Sequence, residues 1–224
     1  MKEIVLSTAY LPSIEYFALI AKSEVFFMEA AESFQKQTYR NRTNILTATG
    51  IQTLILPTQH ATQRSCIRDV RIDYKCDWQL KHWRAIETAY SGTPYFLYFK
   101  DYLAPFFEKR YEFLFDYNEA IIRLLMKLLK IKKSPVLTET FEKEYANKTD
   151  LRTAVHPKRK NLLEITPYPQ VFGDRIPFCG NVSVIDLLFN SGPNLDYLLN
   201  LRSADFQTEG CQHNSVAGFL EKGG

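Results

Sequence analysis

Two short apolar runs separated by a helical pattern open the sequence, and this arrangement constrains the fold most strongly. The segments EIVLS (residues 3–7) and VFFM (residues 25–28) have the composition of buried strands. Between them, Pro12 suits the first turn of a helix, and apolar residues follow from Ile14 at helical spacing. Two strands joined by one helix pair in parallel through a right-handed crossover. The sequence therefore predicts an α/β fold class with a parallel pair at its start.

The rest of the chain changes character along its length. Residues 44–47 and 51–57 flank a short turn and predict a hairpin. Helical patterns cover residues 77–90, short pieces broken at Pro94 and Pro105, residues 111–131, and two segments separated near Gly192. We expect one domain, 1–224, made of an α/β portion (1–75), a helical portion (76–131), a polar excursion or mobile segment (132–162) and a C-terminal helical portion (163–224).

Charge and composition argue against several classes of protein. A net charge of +3 is too weak for nucleic-acid binding through bulk electrostatics. The sequence shows no apolar core of signal-peptide length and no run of about 18 apolar residues, so we expect a cytoplasmic protein without a membrane span. We predict reduced thiols, no metal and no cofactor, because neither cysteines nor histidines show ligand spacing: Cys66, Cys76, Cys179, Cys211, His60, His156 and His213.

The stretch FQKQTYRNR (residues 34–42) is the first candidate site. Lys36 and Arg40 share a face if it is helical, and Arg40 and Arg42 share one if it is extended. Guanidinium groups bind phosphate or carboxylate in bidentate fashion, and Asn41 adds an amide, so substrate binding is one interpretation. The other interpretation is a solvated surface turn, as short charge runs usually are.

The loop STAYLP (residues 7–12) is the second candidate, because open α/β sheets bind ligands beyond their strand ends. Its hydroxyls come from Ser7, Thr8 and Tyr10, with a helix N-terminus nearby. It contains no glycine, so it is not a phosphate loop of the common type. An ordinary connecting loop with Tyr10 packed on its neighbours is the alternative.

A third candidate lies around His82. Asp73 ends a strand-like pattern (VRIDY), and the following helix carries Trp78, Lys81 and His82. A histidine beside a lysine has a lowered pKa and suits a catalytic base, which Asp73 would orient, while Trp78 and Lys81 would contact substrate. The alternative is a half-buried histidine between core tryptophans.

Two polar residues on a late apolar helix, Asp186 and Asn190, stand one turn apart and need partners. We predict that they either contact a ligand or support a neighbouring loop.

Several segments together resemble the WbqC-like protein family of bacteria: STAYLPSIEYFALI, FQKQTYRNRTNI with the later LILP, and YPQVFGDRIPFCGNVSVIDLLFNSGP. The segment DVRIDYKCDWQLKHWRAIETAYSGTPYF is similar to the version in Bacteroidetes members. Tyr10, Pro12 and Tyr16 match the family's first loop, and residues 39–42 match its Trp-Arg-Asn-Arg with tyrosine in place of tryptophan. The opening also resembles Rossmann-like nucleotidylyltransferase folds, which favours a Rossmann-like N-terminal portion followed by largely helical portions.

The resemblance implies a role in O-antigen or other cell-surface polysaccharide biosynthesis. We expect an enzyme, a group transferase of aminoacyl or glycosyl type, whose small-molecule substrate is a sugar nucleotide or an acyl donor bound through Arg40 and Arg42. The alternative is a non-catalytic protein that binds a glycan or a partner enzyme. The sequence leaves the reaction and the oligomeric state open.

Overall fold

The structure, a computed structural model, describes residues 2–204. It is a mixed α/β fold, so the predicted class is confirmed. The strands are β1 (Glu3–Ser7), β2 (Val25–Glu29), β3 (Arg42–Thr47), β4 (Gly50–Ile55), β5 (Val136–Leu137), β6 (Thr149–Asp150), β7 (Leu163–Glu164) and β8 (Arg202–Ser203). The α-helices are α1 (Ile14–Lys22), α2 (Trp78–Tyr90), α3 (Phe96–Glu108), α4 (Leu114–Leu128), α5 (Val184–Ser191) and α6 (Leu195–Asn200).

A parallel sheet in the order β5-β2-β1-β6 forms the centre of the N-terminal portion. β1 and β2 pair in register from Glu3 with Val25 to Ser7 with Glu29, so the predicted parallel pair is confirmed. Both outer strands come from residues 132–162, the predicted polar excursion. The chain runs outward from β1 through β2 to β5 and then returns to the other side of β1 as β6. The strand order therefore reverses between β1 and β6.

Helix α1 forms for reasons visible in the sequence. Ser13 caps it by accepting a hydrogen bond from the Tyr16 amide, and its apolar residues bury against the sheet. At its other end, Lys133 Nζ donates to the carbonyls of Ile20 and Ala21 at 2.9 and 2.8 Å. These contacts fix both ends of the crossover.

Two local predictions are wrong. Residues 96–108 form one helix, α3, although Pro105 lies inside it. The proline falls in the last turn, so one hydrogen bond is lost, and buried Leu103 and Phe107 hold that turn to the core. The VRIDY pattern gives only isolated bridges, from Arg71 to Phe113 and from Ile72 to Thr58, and no strand.

The predicted hairpin and the predicted break near Gly192 are both present. β3 and β4 pair antiparallel from Arg42 with Ile55 to Thr47 with Gly50. α5 ends at Ser191, and Gly192 follows with φ of +71°. A Cβ on Gly192 would lie 3.0 Å from the Tyr95 ring, so both its backbone angle and its surroundings require glycine.

No helix within residues 2–204 is long and apolar enough to cross a membrane. In the same part of the chain, Cys66, Cys76 and Cys179 are unpaired, and no three His, Cys, Asp or Glu side chains are placed to hold a metal ion. Cys211 and His213 lie outside the described residues.

Candidate functional site

A small polar crevice opens at the carboxyl edge of the sheet, between the ends of β1 and β6. This is the point where the strand order reverses, and open α/β sheets bind their ligands at such points. The cavity measures about 10 Å³, which is room for about one water molecule. Its walls are Leu6, Ser7, Thr8, Ala9, Tyr16, Tyr39, Arg40, Leu151, Arg152 and Val155.

Arg40 forms one wall of the crevice, but its charge is neutralised within the protein. Its Nε donates to Glu32 Oε1 at 2.8 Å, and Nη2 also pairs with that carboxylate. The remaining donors reach Thr38 Oγ1 at 3.1 Å and Ser7 Oγ at 2.7 Å. The side chains of Arg40 and Glu32 are only 4% and 5% exposed. Arg40 therefore has few donors left for a substrate anion, and its predicted role in substrate binding stays a prediction.

A second buried ion pair stands on the other side of the crevice. Arg152 Nη1 donates to Glu29 Oε2 at 2.8 Å, and its Nε donates to Asp150 Oδ1 at 2.9 Å. The Glu29 carboxylate also accepts from Thr138 and Tyr145. Sequence reasoning missed this pair, and its only signal was an arginine in a segment interpreted as a polar excursion.

Thr8, a wall residue of the crevice, carries an uncommitted polar group. Its Oγ1 is buried and has no hydrogen-bond partner among the described residues. Neighbouring Ser7 differs, because its Oγ lies 3.0 Å from Glu32 Oε2 and accepts from Arg40. A buried hydroxyl without a partner costs free energy, so Thr8 is a group that a ligand in the crevice would satisfy.

Several positive charges act on His156, the residue that follows the wall residue Val155. Burial, followed by the charges of Arg159, Arg40, Lys158 and Arg42, lowers the pKa of His156, which follows the wall residue Val155. Arg42 makes no side-chain hydrogen bond or ion pair within residues 2–204, and its Nε is buried without a partner. The basic run HPKRK (156–160), which sequence reasoning passed over, therefore adds its charges to those of the 36–42 stretch.

Lys158 links the two basic segments directly, because its Nζ donates to Gln37 Oε1 at 2.8 Å. Lys36, which precedes Gln37 in the chain, is exposed, and its predicted contact with substrate stays a prediction. Within residues 2–204 the cations of these two basic segments outside the wall have no carboxylate partner, whereas the wall arginines Arg40 and Arg152 are paired.

Tyr10, Trp78 and His82 gather at a different place, in an aromatic cluster between α2 and α4. Tyr10 Oη and His82 Nδ1 lie 2.9 Å apart, and the Trp78 ring packs edge-on to those of Tyr10 and Tyr117. Burial lowers the pKa of His82 to about 4, so its imidazole is neutral at neutral pH. None of the three side chains lines the crevice.

Asp73 does not orient His82 in the described structure. Its carboxylate accepts from the Lys75 amide at 2.9 Å, in a turn of its own segment, while Tyr10 occupies His82 Nδ1. Lys81 lies exposed on α2. Asp73, Lys81 and His82 are close along the chain, but their side chains have different surroundings: Asp73 lies in a turn before α2, Lys81 is exposed and His82 is buried.

The other predicted contact residues hold neighbouring backbone in place. Asn41 Nδ2 donates to the Leu56 carbonyl at 3.0 Å. Asp186 is fully buried, where its Oδ2 accepts from Tyr168 and from Gln170 Nε2, the latter at 2.9 Å. Asn190 donates back to the Asp186 carbonyl. Asp186 therefore anchors the loop before α5, which agrees with the second interpretation given above.

Two comparisons with known proteins found matches. The model of the WbqC-like protein family matches residues 8–162. Uncharacterized protein Rv1507c of Mycobacterium tuberculosis (strain ATCC 25618 / H37Rv) is 28% identical over 230 residues, which cover 88% of this chain and 98% of that protein. No solved structure matches the chain. The matched family region contains both ion pairs and both basic segments.

Proposed function

The chain belongs to the WbqC-like protein family, and on this premise we propose that it is a group transferase of bacterial cell-surface polysaccharide biosynthesis. Its anionic substrate, a sugar nucleotide or an acyl donor, would bind over the crevice between β1 and β6. One observation carries the proposal: Thr8, which lines the crevice, has a buried hydroxyl with no partner among the described residues, and the charge of Arg42 acts on His156 next to the wall residue Val155.

The charges of the two basic segments support an anionic substrate. Arg42 and Arg159 present guanidinium forks suited to phosphate or carboxylate, and Lys158 adds a point charge. The paired arginines of the walls favour neutral, hydrogen-bonding parts of a ligand deeper inside. A cavity of about 10 Å³ accepts only a water-sized group, so a larger ligand part requires residues 151–155 to move outward.

A thermal-shift screen tests the proposal with sugar nucleotides, acyl-CoA thioesters and aminoacyl donors as probes. A probe that binds only the folded protein at about 100 times its Kd stabilises it by about 2.7 kcal/mol. We expect Arg42→Gln and Thr8→Val to lose this response. Arg84→Gln removes one exposed positive charge on α2 and serves as the matched control.

Thr8→Val separates binding from folding. Valine keeps the shape of threonine but removes the unpartnered hydroxyl. The variant should therefore be as stable as the wild type, or more stable by about 1 kcal/mol. A lost response then reports a lost contact and not an unfolded protein. An unchanged response in both Thr8→Val and Arg42→Gln would overturn the assignment of the crevice.

The catalytic roles of His82 and Asp73 stay predictions, since neither side chain lines the crevice. Their test is turnover by His82→Gln and Asp73→Asn once a substrate is in hand. Activity that survives both substitutions would remove these residues from the mechanism.

A specific observation favours the alternative, a non-catalytic protein that binds a glycan or a partner. Helix α3 exposes an aromatic surface in which Leu97 is 69% and Tyr98 is 72% exposed, with Tyr95 and Tyr102 beside them. Aromatic faces of this kind stack on sugar rings and on partner surfaces. Binding of a polysaccharide fragment that Tyr98→Ser abolishes and Arg42→Gln leaves intact would favour this alternative.

A further inference from the structure

A basic hollow lies at the opposite edge of the sheet, where the strands begin. It is an open space of about 510 Å³ between the end of α4 and the segment that leads into β5. Its lining consists of Arg123, Met126, Lys127 and residues 130–135. The hollow lies where β5 begins, whereas the crevice lies where β1 and β6 end, and the two share no lining residue.

Five cations and no carboxylate line the hollow, as far as the described residues show. Two of the five are already engaged: Arg123 pairs with Glu119, and Lys133 Nζ donates to carbonyls at the end of α1. Lys127, Lys130 and Lys132 are exposed and make no side-chain hydrogen bond or ion pair within residues 2–204. Three lysines are therefore available on one surface.

The end of α4 explains why these lysines share a side. Lys130 follows the helix with φ of +60°, and the Ile131 amide donates to the Met126 carbonyl at 2.9 Å. This is the hydrogen bond of a helix-terminating Schellman motif, which reverses the chain direction. The reversal buries Met126 and Ile131 beneath the hollow and places Lys132 beside the last turn that carries Lys127.

We propose that this surface docks on the phosphate headgroups of an anionic lipid bilayer. Lysine ammonium groups are flexible point charges, which suit a disordered array of headgroups better than one fixed anion. The space is open, and its lining among the described residues includes no carboxylate that would oppose the attraction. Each basic residue near an anionic membrane strengthens binding about fivefold. Because the crevice lies at the other edge of the sheet, docking leaves its mouth away from the bilayer.

Vesicle flotation of the full chain tests the proposal, with phosphatidylcholine vesicles that either contain or lack phosphatidylglycerol. We expect binding only to the anionic vesicles, and release when salt rises from about 0.1 M to about 1 M, which shortens the Debye length from about 10 Å to about 3 Å. The variant Lys127→Gln/Lys130→Gln/Lys132→Gln should partition on the order of a hundredfold less.

The control variant Lys75→Gln/Lys109→Gln/Lys143→Gln makes the same change in net charge at exposed positions outside the hollow. Equal losses in the two triple variants, or no preference for anionic vesicles, would overturn the proposal. Tighter binding to a short oligonucleotide or to glycerol phosphate than to vesicles would also overturn it. If the triple variant fails to fold, Lys132→Glu alone, outside α4, gives the same comparison.

Discussion

Replacement of Arg40 should reduce stability far more than an arginine in a surface turn would. Arg40→Ala leaves the Glu32 carboxylate buried without its counter-ion, and it also removes donors to Ser7 and Thr38. Breaking a buried pair of this kind costs about 3–5 kcal/mol. The free energy of unfolding of a whole domain is typically about 5–15 kcal/mol, so this loss is a large fraction of it.

The loss of stability caused by Arg40→Ala should depend on pH. Burial raises the pKa of Glu32, and Arg40 opposes that rise. Without Arg40, the folded-state pKa of Glu32 moves further above its unfolded value. A carboxyl with a raised pKa contributes stability that is present below its unfolded pKa and lost as pH rises through its folded pKa. Arg40→Ala should therefore be less destabilised under acid conditions than under alkaline ones, relative to the wild type.

Urea unfolding at several pH values measures both effects, with Arg71→Ala as the control. Arg71 pairs with Glu112 on the surface, where both side chains are more than half exposed, and its removal should cost less than about 1 kcal/mol. The double variant Arg40→Met/Glu32→Leu should recover most of the stability, because no buried charge is left. A cost for Arg40→Ala as small as that of Arg71→Ala, combined with lost probe binding, would refute the structural role.

Three other predictions concern single groups. Burial raises the pKa of Glu15 to about 7 from 4.5. The contribution of Glu15 to the free energy of unfolding should therefore fall by about 3 kcal/mol as pH rises across that interval. Urea titrations of Glu15→Gln should lack this dependence on pH. Burial lowers the pKa of His82 to about 4. NMR should therefore show a neutral imidazole down to about pH 5. The contribution of His82 to stability should be lost as pH falls below about 6.5, the pKa of a histidine in the unfolded chain. Gly192→Ala should cost about 1–2 kcal/mol in thermal unfolding, since φ is +71° and Cβ would meet Tyr95, whereas unchanged stability would contradict the strain.

The N-terminal unit and the main helices could be predicted because their signals are local. The apolar runs of β1 and β2, the spacing in α1, and the stripes of α2 and α4 each lie within a few turns of chain. β5 and β6 could not be predicted, because each is two residues long and has no periodicity. They are strands only because the backbones of β2 and β1 offer them hydrogen bonds.

Of the residues predicted to bind substrate, only Arg40 lines the crevice. The stretch of residues 34–42 and the loop of residues 7–12 do meet at the crevice, as the position of a loop after β1 indicated. The partner of Arg40 was beyond prediction, because a single sequence does not say which of its 25 acidic residues lies beside a given arginine. The same applies to Arg152 and Glu29, which are 123 positions apart.

The sequence by itself determined that the chain opens with a parallel strand pair, places hydroxyls and cations near the strand ends, and resembles one family. The tertiary structure decided which cations are neutralised and which stay available. Arg40 is neutralised by Glu32, whereas Arg42 has no such partner within residues 2–204. Charge pairing depends on distance in space, and the fold alone sets that distance.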